Sequence, residues 1–123
     1  MPKHLPLLFA CSGCSNAGQL ADQLARELDR RGIAEMSCLA GVGAAKSHFL
    51  KKLEQREVWI IDGCPIACSL GVFAQLDKYI DVHIRLHDLG VRKNAPLPSD
   101  SDVEDLVAAA LQQAAQQKSK QLT

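Results

Sequence analysis

The sequence predicts a small doubly wound α/β domain, a three-layer sandwich of about four parallel strands with helices on both faces. Apolar runs of strand length alternate with stretches of helical period along the chain. The first of these runs is continuously apolar, as in a strand buried on both faces, and the third is β-branched and aromatic. The cysteines fall at or just beyond the carboxyl ends of the strand-like runs.

Residues 5–10, LPLLFA, read as the first strand. After the turn CSGC, Ser15 or Asn16 caps a helix to about Arg31, with Leu20, Leu24 and Leu28 along its apolar face. Gly32 closes it. Residues 33–40, IAEMSCLA, form a second strand ending at Cys38, followed by a Gly-rich turn and a basic amphipathic helix. VWIID, residues 58–62, is the clearest strand, β-branched and aromatic and bounded by Gly63. Pro65 suits the first turn of a helix over 65–80, and alternation marks a fourth strand within 81–90. KNAPLPSD, residues 93–100, is a linker. Ser101 and Glu104 form a capping box for a helix to about Lys118, packing through Val103, Leu106, Val107, Ala110 and Leu111, with residues 119–123 as a frayed tail. Right-handed crossovers and the short chain favour strand order 2-1-3-4, a flavodoxin- or Rossmann-like sheet in one domain over residues 1–123.

Fourteen basic and fourteen acidic residues cancel, and aromatics make up only 4%. The chain therefore lacks the positive surface of a nucleic-acid or anionic-membrane binder and the aromatic platforms that stack bases. LPLLFAC ends like a lipoprotein cleavage box, but its apolar run of about six residues falls short of the ~7–15 of a signal core, and Pro6 interrupts it. No stretch approaches the ~18 apolar residues of a membrane span. The odd count of five cysteines argues against a disulfide framework. The expected compartment is the cytoplasm, with no nucleic-acid or membrane partner.

In such folds ligands bind beyond the carboxyl ends of the strands. Cys11 and Cys14 follow the first strand, Cys38 ends the second, and Cys64 and Cys68 follow the third, so all five map to that edge. With strands one and three adjacent, Cys11, Cys14, Cys64 and Cys68 share one crevice, and Cys38 approaches from the other side. Four thiolates suit a tetrahedral zinc site, with an iron–sulfur cluster as the other candidate. Gly13 and Gly63 permit the tight turns that ligand loops need.

The same residues suit thiol chemistry. A two-residue-spaced cysteine pair at a helix start can cycle between dithiol and disulfide, or carry sulfur as a persulfide, without a permanent metal. A phosphatase-type nucleophile needs an arginine six positions on, where Ala17, Leu20, Ala44, Leu70 and Ala74 stand. A phosphocysteine held by a backbone nest would leave Cys14, Cys64 and Cys68 unexplained. His87 and Asp88 end the fourth strand on the cysteine edge and are candidate partners of the site, whereas His48 and His83 read as surface or packing residues. Asp62 reads as a turn stabiliser.

CSGCSNAGQLA, SCLAGVGA, IDGCPIAC and DLGVRK, in that order, resemble the DGC-domain proteins, named for the triplet that stands here as Asp62, Gly63 and Cys64. The resemblance runs from about residue 7 to residue 93 and leaves out the Ala/Gln-rich tail. It implies zinc ligation by Cys11, Cys14, Cys64 and Cys68, with Cys38 also inside a family motif. It implies no particular substrate or reaction.

Overall fold

Four short strands, β1 (Leu7–Ala10), β2 (Glu35–Met36), β3 (Val58–Asp62) and β4 (Val82–Arg85), pair in parallel in the order β2-β1-β3-β4. This computed structural model describes residues 4–12, 15–91 and 100–121, the last helix by backbone alone at 100, 101, 120 and 121. Leu8 lies opposite Trp59, and Ile61 opposite Ile84, so side chains of one parity share a face. Leu8, Ala10, Trp59, Ile61, Val82 and Ile84 pack against Leu20, Leu24 and Leu28 of α1 (Asn16–Arg30) and Val107, Ala110 and Ala114 of α5 (Asp100–Gln121). Leu7, Phe9, Val58 and Ile60 face the other way. They pack with Val42 of α2 (Leu39–Gly43), Leu50 and Leu53 of α3 (Ser47–Leu53) and Phe73 of α4 (Cys68–Gln75). Burial of β1 and β3 on both faces explains the unbroken apolar runs over Leu7–Ala10 and residues 58–61.

The predicted architecture and strand order hold, while several element bounds do not. β1 begins after Pro6, whose carbonyl accepts from Glu35 N–H. β2 has two residues rather than eight, because the chain turns into α2 immediately beyond Ser37. The Gly-rich segment expected as a turn is largely that helix. Left-handed Ala45, at φ 57°, separates α2 from α3. α4 starts at Cys68 rather than Pro65, since Cys64 to Ala67 forms a turn closed by Ala67 N–H on the Cys64 carbonyl (3.1 Å). The fourth strand stops at Arg85, and Leu86–Leu89 is a 3-10 turn. α5 runs on to Gln121, past the expected fraying point at 119. The linker expected over 93–100 falls almost wholly outside the described residues.

β4 is an edge strand, and α5 covers its exposed backbone. Gln117 accepts from His83 N–H (2.7 Å) and donates to the His83 carbonyl (2.6 Å), while Gln113 accepts from Arg85 N–H (2.8 Å). These side chains, four residues apart on one helix face, take the place of a fifth strand. Among the described residues no helix is long and apolar enough to cross a membrane.

Candidate functional site

The carboxyl ends of β1 and β3 open onto a cleft of about 310 Å³ lined by Cys11, Ser12, Ser15, Gly18, Leu39, Asp62, Cys64 and Cys68. Cys11 is the first residue past β1, and its N–H continues the sheet onto the Ile61 carbonyl (3.1 Å). Its Sγ accepts the Gly63 N–H at 3.2 Å. Burial pushes the Cys11 thiol up from its ordinary range. The Gly63 N–H opposes that shift, and the negative charge of Asp62 adds to it. Ser15 caps α1 by accepting from Gly18 N–H (3.2 Å), which fixes the helix start beside the cleft.

Each residue from Asp62 to Cys64 has a separable task. Asp62 is only 1% exposed and accepts from Ser69 N–H (2.8 Å) and Leu70 N–H (3.2 Å). Those are the second and third residues of α4, whose own cap position, Ala67, offers no capping side chain. The carboxylate thus caps α4 from the neighbouring strand and meets the positive end of its dipole. Its third partner is His83 Nε2 at 2.7 Å. Burial alone would raise the Asp62 carboxyl, but the His83 hydrogen bond, the two backbone N–H groups and the attraction of the imidazole hold it below the usual carboxylate range. Gly63 packs onto the first turn of α1, where a Cβ would overlap the Ala17 carbonyl. Only glycine lets β3 and α1 approach closely enough to bring Cys11 and Cys64 into one cleft. Cys64 then lines the cleft, and the turn through Ala67 brings in Cys68.

The DGC domain family model matches residues 7–111. The chain belongs to the DGC-domain family. It is 43% identical over 90 residues to a Pseudomonas aeruginosa protein named Anaerobic and virulence modulator AnvM, an alignment covering 72% of this chain and 69% of that protein. No solved structure matches it. In this DGC domain the triplet is one cap, one close approach and one thiol.

Of the predicted site residues, Cys11, Cys64 and Cys68 line the same cleft, and Cys14 lies outside the described residues. Cys38 instead lines an adjoining cavity of about 470 Å³ with Ser37, Met36, Asp22 and Arg26, sharing Ser12 and Leu39 with the first. Its Sγ accepts the Gly41 N–H (3.2 Å) and caps α2. Among the described residues no group of three His, Cys, Asp or Glu side chains stands close enough to hold a metal ion as placed. Asp88 is engaged by Arg85 (3.3 Å), and His83 reaches the site through Asp62. Parity could have found it: in the β3–β4 register His83 lies opposite Ile60, on the face that Asp62 shares.

Proposed function

We propose that this domain binds one thiophilic divalent cation, zinc, in the cleft between β1 and β3, with Cys11, Cys64 and Cys68 as ligands. Cys14, three residues after Cys11, is the sequence's candidate for the fourth thiolate. The observation that carries this reading is that three thiols from two different strand ends line one cleft. The lining supplies soft sulfur donors and the Asp62 carboxylate, with no lysine or arginine among its described residues. The negative charge that deprotonated thiols would gather there favours a cation. Binding requires the sulfurs to move closer than they now stand. Zinc, when bound, supplies a redox-inert Lewis acid that keeps its thiolates deprotonated, and loading releases their protons. An iron–sulfur cluster is the alternative occupant of the same donor set.

A second reading is a thiol-redox or persulfide-carrying protein that uses these cysteines without a permanent metal. The name of its Pseudomonas aeruginosa relative, an anaerobic and virulence modulator, favours a site whose thiols respond to oxidants. Metal analysis with a visible spectrum on protein purified reduced and anaerobic separates the readings. One colourless equivalent of zinc supports the first, and visible absorbance with bound iron indicates a cluster. Metal-free protein containing a fast-reacting Cys11 or an oxidised Cys11–Cys14 pair overturns the metal reading in favour of the second.

A further inference from the structure

We infer that His83 is a positioning residue for the cysteine cleft, acting through Asp62 to hold the Cys64–Cys68 segment in the shape that presents its thiols. For the identity of the ligand this rests on the zinc reading; for the geometry it does not.

Ala67, immediately before Cys68, sits at φ 57° and ψ 57°. That left-handed conformation is unfavourable for any residue with a Cβ and persists only where its surroundings impose it. Its own N–H donates to the Cys64 carbonyl and its carbonyl accepts from Gly71 N–H (3.1 Å each), and the side-chain restraint comes directly after it. Ser69 N–H and Leu70 N–H both donate to Asp62, so the first turn of α4 is tied to the end of β3. Release of that tie would let Ala67 relax to an ordinary backbone conformation, turning Cys68 and the Cys64 turn away from Cys11.

Asp62 can serve as the anchor only if its own carboxylate is fixed. It is buried, and both oxygens are in use: Oδ1 takes Ser69 N–H, and Oδ2 takes Leu70 N–H and His83 Nε2. The imidazole at 2.7 Å is the side-chain partner that sets the carboxylate's orientation. The backbone of His83 is held in turn, because Gln117 of α5 bonds both its N–H and its carbonyl. Hydrogen bonds to the backbone and to the imidazole of His83 therefore connect α5 through β4 and Asp62 to α4. The cleft lining includes Asp62 but not His83, so the imidazole acts at one remove from any ligand.

The test uses the full chain, reduced and metal-free, as wild type, His83→Leu and His83→Gln; the glutamine amide reaches far enough to restore the donor to Asp62. Iodoacetamide labelling of each cysteine is followed by mass spectrometry, with Cys38 in its separate cavity as internal reference. The Cys64 rate relative to Cys38 is expected to rise about tenfold in His83→Leu and to return near wild type in His83→Gln. Zinc affinity, measured by competition with a chelator, is expected to fall at least about tenfold in His83→Leu, as loss of a ligand-orienting hydrogen bond does elsewhere, and to recover in His83→Gln. Where His83→Leu does not fold, His83→Asn, whose shorter amide stops short of Asp62, replaces it. An unchanged Cys64 rate in a folded variant that has lost the donor overturns the inference, as does a change that His83→Gln fails to reverse. Wild-type protein that binds no zinc refutes the metal reading alone, because the labelling result still decides the role of His83.

Discussion

Two cavities lie side by side at the carboxyl edge of the sheet, and each contains a cysteine whose sulfur accepts a backbone N–H at 3.2 Å: Cys11 from Gly63, and Cys38 from Gly41. The local chemistry is the same, and the surroundings differ. Around Cys11 the chain brings in two further thiols and a buried carboxylate held by three donors. Around Cys38 it offers an exposed thiol that caps a five-residue helix. A cysteine beside a glycine N–H is therefore not in itself a site. Convergence from separate strand ends makes the first cavity a candidate, while Cys38 is the one thiol among the described residues lining the second, where its sulfur caps α2.

Substitutions that hit matching features of the two cavities should separate them in size. The largest effect is expected at Gly63→Ala, where the new methyl meets backbone that cannot swing aside. A loss of about 3 kcal/mol in urea unfolding is expected from such overpacking. Gly41→Ala meets the Phe49 ring, which can shift, and should cost about 1 kcal/mol; equal losses would mean the α1–β3 approach is not special. Next comes Asp62→Ala, which strips the cap from α4 and leaves buried donors without their acceptor, for a loss of about 2 kcal/mol by thermal unfolding. The corresponding change at the other cap, Cys38→Ala, should cost less than about 1 kcal/mol. Smallest of all is Cys38→Ser, whose hydroxyl replaces the capping sulfur and should leave stability within about 0.5 kcal/mol of wild type. A Cys38 variant that destabilises as much as Asp62→Ala would erase the distinction.

The sheet was legible because its information is local and repetitive. VWIID can be little other than a buried strand, and short strand–helix units admit few parallel orders. The grouping of Cys11 with Cys64 followed from that order. What escaped depends on single side chains reaching across the fold. Cys38 capping α2 shortens β2, and no propensity signals that a thiol will act as a cap. Left-handed Ala67 delays α4 by three residues, and nothing in PIAC marks an alanine for that conformation. The reach of His83 to Asp62 and of Gln117 to His83 spans 21 and 34 residues, so each appears only once strand parity and helix placement are known.

The most direct test of the central claim is zinc stoichiometry in the two cysteine variants that divide the cavities, Cys64→Ala and Cys38→Ala, purified reduced and anaerobic beside the wild type. One equivalent in wild type and in Cys38→Ala, with none retained in Cys64→Ala, is the predicted result. Zinc kept by Cys64→Ala and lost from Cys38→Ala would place the metal in the wrong cavity and contradict the account.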